Sequence, residues 1–560
     1  MVLDRVTVVD ALQVRADAAV VLSGGRIHAV LDAGGPWPTH ASVLDLPGRT
    51  VVPGFIDAHV HLFHSGALDP VGPTLDDNLA TQLAWGVVGV ADLGAPEAVF
   101  DLRDEIAAGR RVGPRVWATG PMLTAAGSHP CETEHDPHLC RFVDGDGAAE
   151  VAALARADGL KVALADAAFS PWPTPRLDLV DLADITAAAA AAGQPVAVHV
   201  DAPADATDAA DAGAALLAHP VFSEAVADPV ALPVTSTLSA FDGPGALESG
   251  ALLAEDLRFT PDAVVEDWAG WQRRLDAFLP GWTEESDAWA AAARTNLATR
   301  HARGGALLAG SDAGYWLVPH GLSLHRELTA LVALGLSPRE AIEAATLAPA
   351  TALGWTDLGE VAAGQAASLV VLSADPLSDI EATRAIEQVW VDGVRVQPDD
   401  ARAPGAAGVC ASDADCAPGL GCDGLAATCA PACEAAFDPF ADCGPSAACL
   451  PGDGLPGGPP VCRAVRPCDP YAQDCEPARY AEACLPLDLD TSACWPAGPG
   501  GVGDDCGWDA PEDGCTAGLY CSPVTETCFE LCDPDGPDTC STGACQRQRV
   551  DGEPWFGLCY

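Results

Sequence analysis

Six side chains of the kinds that hold metal ions are spaced through the middle of the chain: His59 and His61 in DAHVH, Lys161 in GLKVALADAAF, His199 in AVAVHV, His219 in ALLAHP and Asp312 in LLAGSDAG. Lys161 is the only lysine among 560 residues. Leu160, Val162, Ala163 and Leu164 flank it in a short apolar run of buried-strand type, where an unpaired ammonium is costly. A lysine so placed readily loses its proton, and the neutral amine can then take up carbon dioxide as a carbamate, an anion able to bridge two metal ions. His59 and His61 alternate along a strand and share a face, where two imidazoles can hold one cation; alone, such a pair serves equally well as a structural pair.

The elements that must position these groups read as repeated βα units, short apolar runs separated by helix-like stretches, which is the pattern of an α/β fold with a parallel sheet. Strands are expected near 55–61, 87–93, 115–120, 160–165, 196–200, 214–219, 234–238 and 306–312. Eight units suit a closed (β/α)8 TIM barrel spanning 51–358, and in that fold catalytic groups gather at the C-terminal strand ends. The six candidates fall on five such strands. An insertion over 241–303 carries Trp268, Trp271, Trp282 and Trp289, read as packing residues. Strand-like runs in 1–50 and again in 359–397 are each a poor core alone and are expected to pair as one composite β-sandwich.

The runs VVPGFIDAHVHL, GVVGVADLG, GPRVWATGPMLTAAGSH, AGQPVAVHV, LLAGSDAG, ELTALVALGLSPREAIEAATLAPATALG and GEVAAGQAASLVVL resemble the amidohydrolase superfamily over nearly all of residues 1–397, and within it the imidazolonepropionase-like and prolidase-like group. The resemblance implies a distorted barrel with a small β-domain from both chain ends. It also implies that His59, His61 and Asp312 hold one divalent metal and His199 and His219 a second, with a carboxylated Lys161 between them. Zinc is the expected ion, with manganese or iron as alternatives. True imidazolonepropionases lack the lysine, so Lys161 favours the two-metal, dipeptidase-like branch.

Chemistry follows from such ions, which lower the pKa of water to give a nucleophile at neutral pH and polarise a carbonyl. Asp312 would take the water's proton and pass it to the leaving amine, and His129, in the loop after the third strand, would donate to the carbonyl oxygen as it becomes negative. An exposed loop histidine is the bland alternative for His129. Four positions depart from relatives: Ala218 stands where a glutamate is common, Ser311 where a threonine is, and Val200 and Asp201 follow the fifth-strand histidine where dipeptide-cleaving relatives often carry an aromatic hydroxyl. An acid at 201 would repel a substrate carboxylate, which counts against prolidase specificity. His320, in HGLSLHREL, could reach substrate or serve as a packing residue.

The reading is therefore a hydrolase of carbon–nitrogen bonds in a small amide, cyclic amide or dipeptide. Hydrolysis of an ester, lactone or phosphoester at the same metals is the alternative within enzymes. A catalytically silent scaffold carrying a binding tail is the alternative outside them.

Cysteine divides the chain. Of 22 cysteines, only Cys131 and Cys140 precede residue 400, and these are expected to close a lid loop, with metal capture by His135 and His138 as a lesser alternative. After a linker at 398–409, residues 410–560 hold the other twenty in five groups of four. The spacing Cys422, Cys429, Cys433 recurs as Cys521, Cys528, Cys532, and the region has no histidine and no C-x-x-C, so a disulfide framework is favoured over zinc. Oxidised cysteine points to an extracytoplasmic location, in the cell envelope or secreted, with a cell-surface partner for the tail. The N-terminus, MVLDRVTVVDA, does not read as a signal peptide and no apolar run is long enough to span a bilayer. A formal charge of -52 repels phosphate backbones, which excludes nucleic acid as a partner. Nothing in the sequence sets the oligomeric state.

Overall fold

The computed structural model describes residues 1–396 apart from 38–40, 68–74, 132–138, 165–173, 227–229, 255–256 and 273–281, and beyond them the backbone of ten short strands between Leu420 and Cys559. Two compact units divide the chain, one covering Met1–Asp69 and Pro73–Ala401, the other Arg402–Tyr560.

The first unit opens with β1 (Val2–Val9), β2 (Val14–Ser23), β3 (Arg26–Asp32), β4 (Val43–Asp45) and β5 (Thr50–Pro53). Eight strands follow at the expected places: β6 (Phe55–Val60), β7 (Val87–Asp92), β8 (Arg115–Ala118), β11 (Leu160–Ala163), β12 (Val196–His199), β13 (Leu216–Leu217), β14 (Val234–Thr235) and β15 (Leu307–Leu308). Two further strands, β9 (Met122–Thr124) and β10 (Cys140–Phe142), are additions to the expected set. The chain then returns as β16 (Leu369–Leu372), β17 (Ile386–Val391) and β18 (Val394–Val396).

Both ends of the unit build one sheet in the order β18-β17-β16-β5-β1-β2-β3, with β4 also on β1. Its seam is the antiparallel pairing of β5 with β16, Val52 opposite Val370. Period-two alternation there serves two cores at once. Leu369 and Val371 pack with Leu3, Val8 and Ile27, while Val370 and Leu372 face the main core with Phe55 and Val87.

The middle strands run parallel in two sheets, β6-β7-β8 and β10-β9-β11-β12-β13-β14-β15, an arrangement consistent with a TIM-barrel-like domain. β6 also lies along the segment after β15: Ala58 N donates to Ala309 O, Asp312 N to His59 O and His61 N to Ala313 O at 2.7–3.0 Å. The third expected strand, 115–120, is broken. β8 pairs with β7, the chain turns at Gly120, and β9 resumes beside β11 with Leu123 opposite Val162. The break has a local cause, since Gly120 has φ +69° and Pro121 has no amide hydrogen to give a ladder.

In the insertion, Trp268 is fully buried and its indole donates to Gly66 O at 2.9 Å, and Trp289 packs edge-on to Phe222. Trp271 is half-buried on the same helix, Asp262–Gln272; the side chain of Trp282 lies outside the described residues. Cys131 and Cys140 are disulfide-bonded with Cα atoms 6.4 Å apart, and β10 seats the second of them on the sheet edge, opposite Met122. The loop they close, with His135 and His138, lies outside the described residues.

In the second unit, five hairpins each set two cysteines directly opposite: Cys422 and Cys429, Cys449 and Cys462, Cys484 and Cys494, Cys521 and Cys528, Cys545 and Cys559. Among the described residues no helix is long and apolar enough to cross a membrane.

Gly120→Ala should destabilise the first unit by about 1–3 kcal/mol in chemical denaturation, because its φ is positive and an added Cβ would meet the Phe100 ring at 2.5 Å. An unchanged midpoint would show that the break in the third strand does not depend on glycine.

Candidate active site

Strand alternation aims Asp57, His59 and His61 of β6 and its end to one side, and each then meets a fixed partner. His59 Nδ1 is 3.0 Å from Ala218 O and His61 Nδ1 is 3.1 Å from Gly94 O. A carbonyl can only accept, so both Nδ1 atoms carry the hydrogen, and in the neutral ring it is Nε2 that keeps the lone pair. Those lone pairs face a carboxylate. His59 Nε2 and His61 Nε2 lie 3.3 and 3.1 Å from Oδ1 of Asp312, a buried atom with no hydrogen-bond donor among the described residues. Acceptors converging on an acceptor need a cation between them, a proton or a metal ion.

The donor set fits a divalent cation. One atom each from His59, His219 and Asp312 lie within 4.8 Å of one another, all three residues being buried. The rings of His59 and His219 are 4.6 Å apart and those of His199 and His219 4.5 Å, so the fifth- and sixth-strand histidines join the cluster. His199 is turned the other way from the rest. Its Nε2 bonds Asp201 Oδ1 at 2.9 Å, which makes Nδ1 the lone-pair nitrogen.

Electrostatics favour neutral rings at His59 and His219 beside the Asp312 anion, whereas burial would lower His61 but its bond to Asp312 and the charges of Asp312 and Asp92 raise it above its ordinary value. Burial and the Lys161 charge hold His59 well below its ordinary pKa, and burial with the neighbouring His199 and His59 does the same for His219. Burial would raise the Asp312 carboxyl, yet His59, His61 and His219 around it hold it well below the carboxylate range. Lys161 is 2% exposed, its Nζ 3.4 Å from His59 Nε2, and burial pushes its ammonium down to about 7 against partial support from Asp312. A substantial fraction of neutral amine therefore exists at neutral pH.

The structure gathers all six expected ligands in one place and brings His129 to its edge, half-buried, with its ring 4.9 Å from that of His199. His320 takes the packing role. Gln82 Nε2 donates to its Nδ1, its Nε2 donates to His64 O at 2.7 Å, and burial lowers it to about 4. Asp201 faces His199, so its role is to fix that ring rather than to face substrate from a wall. At 218 and 311, the group holding His59 is the backbone oxygen of Ala218, and Ser311 Oγ donates to Asp57 Oδ2 at 2.5 Å.

Four carboxylate or hydroxyl partners have no sequence reading above. Asp57 accepts from His59 N and Ser311 N and is raised to about 7 by burial. Asp92 accepts from Leu62 N and Gly94 N, bracing the loops at both strand ends. Thr237 Oγ1 is 3.0 Å from His219 Nδ1, and Glu327 bonds Ser236 and Ser239 on either side of it. Strand alternation alone places Asp57 on the face of His59. Asp92 ends β7, Glu327 lies on the helix Leu322–Ala333 and Thr237 stands just past β14, so their meeting with the cluster depends on how separate elements pack.

The Amidohydrolase family matches residues 50–396. Among solved structures, a prolidase complexed with N-methylphosphonate-L-proline is 25% identical at a TM-score of 0.56, over 71% of this chain and 99% of that one. A Xaa-Pro dipeptidase with methionine bound in its active site is 22% identical at a TM-score of 0.57, again over 71% of this chain and 99% of that one. The adenine deaminase of Deinococcus deserti is 35% identical over 116 residues, which are 20% of this chain and 19% of the deaminase, so the chain spans about a fifth of that relative's length.

The lysine makes metal-free stability depend on pH with a definite sign. Between about 7 and its ordinary 10.5 the unfolded chain binds a proton that the folded chain does not, so stability should rise with pH across that window. In denaturant melts of metal-free protein, Lys161→Met should lose that slope and exceed wild type most at the acid end of the window. A slope kept by the variant would assign it to another group.

Proposed function

The chain belongs to the amidohydrolase family, and on that premise we propose that it hydrolyses a carbon–nitrogen bond in a small amide, cyclic amide or dipeptide with the help of two divalent cations. The observation that carries this reading is the convergence of the His59 and His61 Nε2 lone pairs on Asp312 Oδ1. His59, His61 and Asp312 would hold one cation, His199 and His219 the other, with zinc ahead of manganese or iron. Bound there, such ions supply Lewis acidity that activates water and polarises a carbonyl.

The chain's own residues do the rest. Lys161, in the neutral form that burial favours, attacks carbon dioxide through Nζ; the new N–C bond forms, one N–H proton leaves to solvent, and the resulting carbamate is an anion among imidazoles. Asp312 accepts a proton from the attacking water and returns it to the nitrogen that departs. His129 donates to the oxygen that gains charge, from a position beside His199. Asp201 orients His199.

We read the two parallel sheets as one distorted (β/α)8 barrel over 51–358, with 1–50 and 359–397 as the composite β-domain, 398–409 as a linker and 410–560 as a disulfide-stapled region. The opposed cysteines of the five hairpins support a covalent framework there, and with it an extracytoplasmic location and a role for the tail at a cell surface.

Metal analysis of purified protein, with Lys161→Ala beside it, tests the centre. About two ions per chain, falling to one or none in the variant, is the expected result. Because Lys161 is the only lysine, protein equilibrated with 13C-labelled carbon dioxide should show a single side-chain carbamate resonance, absent from Lys161→Ala. Wild type without bound metal would sink the hydrolase reading. Alkylation of the tail before reduction should leave its twenty cysteines unmodified, and free thiols there would remove the argument for export.

A further inference from the structure

Thr237 stands just past the end of β14, and its backbone requires explanation. Its φ of 39° and ψ of 34° lie in the left-handed region, which side chains branched at Cβ rarely adopt. Both neighbours and its own amide pin it there. Thr237 N donates to Gly310 O and Ser236 N to Leu308 O, each at 2.9 Å. The fully buried Glu327, on the helix Leu322–Ala333, accepts from Ser236 Oγ and from Ser239 N, each at 2.6 Å. Glu327 thus sits against the first turn of the helix Leu238–Glu248, where unsatisfied N–H groups favour negative charge.

A residue at this position would ordinarily cap that helix with its side chain, and Thr237 does not. Its hydroxyl is 3.0 Å from His219 Nδ1 instead. Strain held by surrounding structure at a cluster of functional side chains is a pointer to a role there.

We propose that Thr237 is a positioning residue for His219: its hydroxyl takes the Nδ1 hydrogen, fixing Nε2 as the lone-pair nitrogen turned to the His59–Asp312 cluster, and Glu327 is the clamp that keeps Thr237 in the conformation this requires. The inference rests on the metal-holding reading of that cluster. It adds a layer specific to this chain, running from a buried glutamate through two serines and a strained threonine to one ligand.

Thr237→Gly separates the hydroxyl from the fold, because glycine takes a positive φ without strain and caps a helix nearly as well as threonine. In the full chain, metal-free Thr237→Gly should melt at or above the wild-type temperature. Zinc-loaded Thr237→Gly should surrender its ion to a chromophoric chelator about tenfold faster or more. Thr237→Ser, which keeps the hydroxyl, should retain zinc much better than Thr237→Gly. Glu327→Gln, which makes no contact with the cluster, should also release zinc faster than wild type. A Thr237→Gly protein that holds zinc as wild type does overturns the positioning role while leaving the metal centre intact. A wild type that binds no zinc removes the centre and this inference with it.

Discussion

Every other feature of the site depends on how the outward-facing nitrogens of its imidazoles are used. A histidine ring offers two nitrogens, and a metal-binding cluster works only if each ring presents the bare one. Here two of the four rings give their Nδ1 hydrogens to main-chain carbonyls, those of Ala218 and Gly94, which are oxygens that no substitution of side chain removes. The other two depend on side chains, Asp201 and Thr237. The first pair is secured by the fold itself, because the carbonyls belong to neighbouring strand ends. The second pair is secured by individual residues.

The parallel strands of the middle section were legible because strands buried on both faces are short, continuous apolar runs, and five of the eight carry a polar residue that such a run cannot otherwise explain. Lys161 stood out by the same logic. A charged side chain between Leu160 and Val162 has to be neutralised, and the structure lowers its pKa to about 7 by burial. What escaped the sequence was whatever depends on backbone direction. The jog that splits the third strand needed the joint effect of Gly120 and Pro121 to be seen as a break rather than an ending. Asp201 had the right residue type for bracing a histidine but was read as facing substrate, because periodicity says which side a strand residue takes and nothing about the loop that follows it.

Burial also orders the carboxylates. Asp57, Asp92 and Glu327 all lie in the interior, and each is raised by desolvation to about 6 or 7. Each is also met by backbone N–H or serine donors rather than by an arginine or lysine. Such groups gain orientation from their partners without bringing a second charge into the interior, where it would compete with a cation at the strand ends. Asp312 is the exception, held as an anion by three imidazoles, and it is the residue assigned to proton transfer.

The seam between β5 and β16 joins segments more than 300 residues apart in the chain, and one of its strands continues directly through Gly54 into β6, which bears His59. During synthesis the ribosome delivers the first of these strands long before the second. The edge of β5 that takes β16 must wait unpaired until residue 372 has emerged, although β6 already has β7 beside it. Completion of this sheet is therefore a late event in the life of the nascent chain, governed by the arrival of a segment that contributes none of the clustered side chains.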